Sequence, residues 1–255
     1  MTIRKPILAK LIFLFSFSTI IIGCSSGTTS SSSSSTVQNN VSGFYYAFDD
    51  SGSTIIDSSG NDFHGAATAI SRVAVGKVGG AVEFLQSGSV IELPVINSDF
   101  PFETGFSFRA WIKVDTAITD RQQIIGGSTN SDTAEIVSNF GISLIDDSIS
   151  FEIPVLEDKL SLTTTALSFP IDTWFHIAIT YDGSDVFFYY NGDHVGDGSV
   201  LTTYSPYFQN RIGNNQRIFG GVQIEDQFVG FMDELYLENV VLTQSEIANY
   251  YLDTM

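Results

Sequence analysis

The stretch Thr173–Gly192, TWFHIAITYDGSDVFFYYNG, admits few folds. Phe175, Ile177, Ile179 and Tyr181 alternate with Trp174, His176, Ala178 and Thr180, and a period of two puts one set on each face of a strand. Asp182-Gly183 then breaks the run, because glycine accepts positive φ and aspartate bonds its own backbone. A second, aromatic-rich run from Val186 to Tyr190 stops at Asn191-Gly192, a strong hairpin signal. Paired strands with one apolar face each must bury that face against another layer.

The same alternation recurs along the chain. Phe44, Tyr46 and Phe48 alternate with Tyr45 and Ala47, and Gly105–Val114 sets Phe106, Phe108, Ala110, Ile112 and Val114 against Ser107, Arg109, Trp111 and Lys113. Shorter strand signals stand at Ser89–Leu93, Gln122–Ile125, Ile136–Leu144, Ser148–Ile153, Arg211–Asn214 and Gly230–Glu238. One helix is expected, at the end: Thr243-Gln244-Ser245-Glu246 is a capping-box pattern, followed by Ile247, Tyr250 and Tyr251 on one helical face. Many short strands with almost no helix predict an all-β sandwich.

Five segments in order carry a resemblance. W-x-H-x-A-x-T-Y-D-G from Trp174, with Y-x-N-G from Tyr189, is preceded by D-S-S-G-N…H-G from Asp57, by Gly76–Phe84 (GKVGGAVEF) and by Ala110-Trp111-Ile112-Lys113. It is followed by Gly230-Phe231-Met232-Asp233-Glu234-Leu235 with Asn239 and Leu242-Thr243…Glu246-Ile247. Together these resemble the LamG-like branch of the concanavalin A-like lectin/glucanase superfamily. The resemblance implies a concanavalin A-like jelly-roll β-sandwich over residues 41–255, closed by the short C-terminal helix. It also implies a lectin-like, carbohydrate-binding or adhesive role, and a structural Ca2+ like that of many relatives.

The N-terminal residues read as a processing signal. Arg4, Lys5 and Lys10 precede the apolar run Leu11–Ile22, which is short of the roughly 20 residues a transmembrane helix needs. Ile21-Ile22-Gly23-Cys24 resembles a bacterial lipobox, which makes 1–23 a lipoprotein signal peptide and Cys24 the lipidated residue. The alternatives are an ordinary secretory signal and an uncleaved anchor. Residues 24–40 then form a tether with six consecutive serines and no charge, unable to repay the entropy of ordering. The expected location is a lipid anchor on a membrane, at the outer membrane or cell surface.

Cys24 is the sole cysteine, so disulfides, thiolate zinc sites and a cysteine nucleophile are excluded from the expected domain. The chain carries 11 basic against 29 acidic side chains, and loss of residues 1–23 removes three of the basic ones and no acidic one. Such acidity argues against nucleic acid as a partner and suits divalent cations. The expected partner is a glycan, or alternatively a protein of the cell envelope or of a host surface. No paired-carboxylate E-x-D-x-E strand and no G-x-S-x-G occurs, so no enzymatic activity is expected.

Alternation puts Asp233 on the face of Phe231, Leu235 and Leu237, where a buried carboxylate needs N–H donors or a metal. Calcium takes roughly six to eight oxygens, and Asp50, Asp57 and Asn61 are the other expected ligands. The alternative is that Asp233 accepts backbone N–H bonds and clamps a loop. His176, His64 and His194 lack zinc spacing, and His176 is expected to hydrogen-bond across the sheet. For a sugar, the expected contacts are Arg109 and Trp111 on their shared face, and Tyr204, Tyr207 and Arg211 near Phe208 and Asn210. Packing under the terminal helix is the competing role for these aromatics.

Overall fold

Phe106, Phe108, Ala110, Ile112 and Val114 lie along one side of β7 (Phe106–Val114), and all are buried. Phe175, Ile177, Ile179 and Tyr181 do the same along β12 (Phe175–Tyr181), which pairs antiparallel with β7 so that Ile177 faces Ala110 and Ile179 faces Phe108. A computed structural model of the chain describes residues 42–85, 87–94, 104–128, 138–155, 158–200, 211–219 and 222–255. They belong to one unit, Asn40–Met255. Cys24, Tyr204 and Tyr207 lie outside the described residues.

Two antiparallel eight-stranded sheets stack on a shared core. Sheet I runs β14 (Asp193–Ser199), β13 (Asp185–Tyr190), β12, β7, β18 (Gly230–Glu238), β5 (Ala81–Phe84), β4 (Ile70–Val73), with β1 (Gly43–Tyr46) pairing the second half of β18. Sheet II runs β11 (Asp158–Thr163), β10 (Ser148–Val155), β9 (Ser138–Ile145), β8 (Gln122–Ser128), β15 (Arg211–Ile212), β6 (Val90–Glu92), β3 (Gly65–Thr68), β2 (Thr54–Ile55). A separate ribbon pairs β16 (Gln216–Phe219) with β17 (Val222–Glu225). The order is that of a jelly-roll sandwich, as the strand signals and the resemblance predict.

The core between the sheets is heavily aromatic. Phe106 meets Phe140 and Phe151 at ring-centroid distances of 5.3 and 6.0 Å, so the two sheets touch through rings from β7, β9 and β10. Asn191 (φ 50) and Gly192 (φ 84) form the tight turn from β13 into β14, which is the geometry that a two-residue hairpin loop demands.

Every residue of β12 is buried, so both of its faces are covered. The second cover is α1 (Gln244–Thr254). Thr243 caps it: its side chain accepts from the Glu246 amide while Glu246 accepts from the Thr243 amide, a complete capping box. Ile247 packs with Ala178 and Tyr189 in a second, smaller apolar cluster on the outer face of sheet I.

Candidate functional site

Alternation along β18 fails at one place. Met232 faces inward opposite Ile112, and Asp233 pairs with Trp111 on the outer side. The register then slips before Tyr236, which pairs with Arg109. Glu234 is the extra residue, with φ 51. The bulge re-aims both carboxylates. Asp233 therefore lies outside the core face of Leu235 and Leu237, contrary to the simple alternation.

Asp233 is fully buried, and its bonds are to backbone. Oδ2 accepts from the amides of Lys77 (2.8 Å) and Val78 (2.9 Å), and Oδ1 from the Glu234 amide (2.8 Å). Burial pushes its carboxyl up to about 7, although the amide bonds pull the other way. The loop it holds approaches so closely that a Cβ on Gly76 would stand 2.7 Å from Asp233 Oδ2. Glu234 accepts from three tyrosine hydroxyls: Tyr45 at 2.7 Å, Tyr236 at 3.2 Å and Tyr250 at 3.1 Å. Burial raises the pKa of each of those phenols.

The other expected calcium ligands are committed in the same way. Asp57 accepts from the amides of Tyr45, Ser59 and Phe63 and from the Ser59 hydroxyl, while its own amide donates to His64 Nδ1. Asn61 donates to the Gly43 carbonyl, and Asp50 pairs with Arg72 at 2.8 Å. Among the described residues no group of three or more His, Cys, Asp or Glu side chains could hold a metal ion. The structure thus does not bring Asp50, Asp57, Asn61 and Asp233 together as a ligand set; the acidic loops fasten β1 and the Gly76–Gly80 turn instead. Buried side-chain oxygens lacking a hydrogen-bond partner include Oδ1 of Asn214 and of Asn215, in another loop.

Arg109 and Trp111 share the outer face of sheet I, as alternation predicts, but α1 covers them. The Arg109 guanidinium is sandwiched between the rings of Tyr236 (4.0 Å) and Tyr250 (4.4 Å) and pairs with Glu238 at 3.3 Å. Trp111 is 1% exposed, stacks on Tyr251, donates to Thr254 Oγ1 and carries Lys77 over its ring. Neither is open to a ligand. His176 also differs from expectation. Its backbone amide donates to Asn191 Oδ1, but neither ring nitrogen has a hydrogen-bond partner. The ring packs among Trp111, Tyr250 and Tyr251, and burial, helped by the Arg109 charge, lowers its pKa to about 3.

The outer face of sheet II is built differently. Register places Glu92, Arg211, Gly126, Gly141, Glu152 and Ser161 in one row across five neighbouring pairings, with Gln123, Ser143, Ser150 and Thr163 in the next. Ser143, Ser150, Gln123 and Glu152 are buried, whereas Ser161 and Thr163 are exposed. Arg121 clamps the centre, bonding Ser143 Oγ at 2.9 Å and Glu152 at 2.8 Å. The paired glycines leave room for the Gln123 side chain, which lies flat: a Cβ on Gly126 would stand 2.6 Å from Gln123 Nε2. That nitrogen donates to the carbonyls of Ile125 and Ile142, leaving Oε1 as an acceptor. Arg211, paired with Glu92 at 3.2 Å, borders the floor with its side chain 37% exposed. At the surface this face presents the Ser161 and Thr163 hydroxyls and part of the Arg211 guanidinium, hydrogen-bonding chemistry that matches vicinal hydroxyls, whereas Gln123, Ser143, Ser150 and Glu152 are buried and hold the strands in place. Sequence alternation was the available signal, but the row is visible only once β8, β9, β10 and β15 are in register.

Solved structures share the fold. The binding domain of Paraclostridial Mosquitocidal Protein 1 superposes with a TM-score of 0.61 at 17% identity over 82% of this chain and 51% of that one. For the botulinum neurotoxin serotype G binding domain the values are 0.60, 15%, 82% and 50%. The chain thus spans about half the length of these toxin domains. Domain 4 of AbnA, an extracellular arabinanase of Geobacillus stearothermophilus solved with arabinotriose, matches at 0.60 and 23% identity over 82% of this chain and 98% of its own. The two toxin neighbours are binding domains. Among curated proteins no match was found. The Laminin_G_3 family, described as concanavalin A-like lectin/glucanases superfamily, matches residues 85–248, more than half of the chain. With both sheets, the closing helix and that match in place, this chain belongs to the Laminin_G_3 family of the concanavalin A-like lectin/glucanase superfamily.

Proposed function

We propose that the chain is a non-catalytic, lectin-like module that binds carbohydrate through the outer face of sheet II. One observation carries the reading: on that face the outward side chains are short or polar and held in fixed positions by the Arg121–Glu152 pair, with Arg211, Ser161 and Thr163 exposed around them. Polar groups held in place before the ligand arrives lose little freedom on binding. Domain 4 of AbnA, whose whole length matches, was solved with an oligosaccharide, which supports the ligand class. The signal-like residues 1–23, Cys24 and the serine tether add a second part: the module is anchored by lipid and displayed at a membrane surface. Mass spectrometry of Cys24 tests the anchor.

The test of function is a glycan-array screen of the full-length protein in calcium and in EDTA, repeated with Arg211→Ala and Glu152→Gln. Binding that falls about tenfold is expected in both variants, with an unchanged melting temperature in Arg211→Ala and a lowered one in Glu152→Gln, which breaks the buried pair with Arg121. Binding indifferent to both variants overturns the site. Absence of binding to any glycan overturns the lectin reading and turns the search to a protein partner of the envelope.

A further inference from the structure

The register of sheet I places a second row beyond the footprint of α1. Lys113 on β7 pairs with Phe231 on β18, Phe231 pairs with Glu83 on β5, and Glu83 pairs with Ser71 on β4. Trp174, just before β12, completes the row: its ring lies edge-on to Phe231 with centroids 6.3 Å apart, and Lys113 Nζ stands 3.9 Å from the Phe231 centroid and 5.9 Å from that of Trp174. All five side chains are half-buried. The next row inward, Trp111 and His176, is sealed under the helix.

Two features of this row have no structural employment. An aromatic pair on the outer face of a sheet is normally covered, as Trp111 is, yet Trp174 and Phe231 remain partly open. The Glu83 carboxylate is also unspent, and the Lys113 ammonium is engaged only by the ring of Phe231 and, further off, that of Trp174. Among the described residues neither the Lys113 ammonium nor the Glu83 carboxylate has an ion-pair or hydrogen-bond partner. They sit two strand spacings apart, about 10 Å, so they do not neutralise each other.

We propose that Trp174, Phe231, Lys113 and Glu83 form a second saccharide-binding site, on the face opposite the sheet II row, for an uncharged sugar ring of a neutral polysaccharide. The C–H face of the ring stacks on Trp174, Lys113 donates to one hydroxyl from its place over Phe231, and Glu83 accepts from another. Three observations select a neutral ligand. Lys113 already occupies the cation position over Phe231, which repels a cationic group. Glu83 repels an anionic one on its own side. The chain as a whole carries a formal charge of −18, which opposes a polyanionic glycan. The proposal rests on the carbohydrate reading above but uses different residues, so the two can fail separately.

The experiment is isothermal titration of the full-length protein with arabinotriose and other neutral oligosaccharides, with heparin oligosaccharides as the charged control. The wild type, Trp174→Ala, Phe231→Ala, Lys113→Met, Glu83→Gln and the sheet II variant Glu152→Gln are compared. Two binding events per chain are expected in the wild type. Trp174→Ala is expected to remove one of them, and Lys113→Met and Glu83→Gln to weaken that same event about tenfold. Their surface positions keep the test valid should an aromatic variant misfold. If the wild type binds but none of the four row variants changes the titration, the second site is overturned and the sheet II reading stands. If one event is seen and the row variants abolish it while Glu152→Gln does not, the second site stands and the sheet II reading falls. A preference for heparin, or no heat with any sugar, overturns the proposal.

Discussion

Asp233 and Glu234 are neighbours in the chain, yet they do separate jobs because one residue adopts positive φ. Asp233 serves three amides, and substituting Asp233→Asn turns one acceptor oxygen into a donor facing N–H groups. Leaving buried donors unsatisfied costs about 1–3 kcal/mol each. A stability loss of about 2–4 kcal/mol in urea unfolding is expected, with faster amide exchange at Lys77 and Val78. His176 gives a prediction in pH. Its folded pKa, about 3, lies below the unfolded value of about 6.5. Its contribution is therefore complete above about 6.5 and is lost as pH falls towards 3. The wild type should lose stability against His176→Phe by up to about 1.4 kcal/mol per pH unit across that window. Asp233 acts in the opposite sense, since its raised pKa favours the folded state as pH drops through about 7, and comparison with the variant isolates the histidine. A gap that stays constant with pH would show that His176 is not buried neutral.

At the scale of elements, α1 does more than close the chain. Tyr250 supplies a hydroxyl to Glu234 and a ring to Arg109, Tyr251 stacks on Trp111, and Ile247 seals Ala178. An eleven-residue helix is marginal by itself in water, so its stability comes from this packing and from its cap. Thr243→Ala removes the hydroxyl acceptor of the box. It is expected to cost about 1 kcal/mol and to raise hydrogen exchange along Gln244–Thr254 while leaving sheet II protected. Equal loss of protection in both sheets would mean that the helix and the sandwich open as one unit.

At the scale of the molecule, one sandwich has two unlike outer faces. The outer face of sheet I is closed over Arg109, Trp111, His176 and Ala178 by a helix and an aromatic–arginine cluster; that of sheet II carries a polar row. The acidic loops belong to neither face and fasten β1 and the Gly76–Gly80 turn. Because their oxygens already accept N–H and O–H bonds, EDTA is expected to leave the melting temperature unchanged to within about 2 °C. A larger drop would place a structural cation in the fold. Bound glycan should instead raise the melting temperature as its concentration exceeds the dissociation constant.

The long strands β7, β12, β13 and β18, the Asn191-Gly192 hairpin and the capped helix were legible in the sequence because each rests on local geometry: a period of two, a positive-φ turn and a reciprocal cap. Short or polar strands such as β3, β4, β11 and β14 carry no such alternation and were not. The pairing of Arg109 with Trp111 on one non-core face was legible too. What covers that face was not legible, since the helix that buries it lies more than a hundred residues later. The bulge at Glu234 was hidden for a related reason, because nothing in GFMDELYLE marks where a strand adds a residue against its partner. Local chemistry determined which residues form the long strands and which sides of them are apolar. Tertiary register alone decided that Asp233 became a clamp, that Arg109 became packing, and that Arg211, Glu152 and Ser161 came into one row. Cross-strand neighbours are far apart in sequence, and their juxtaposition depends on every pairing between them.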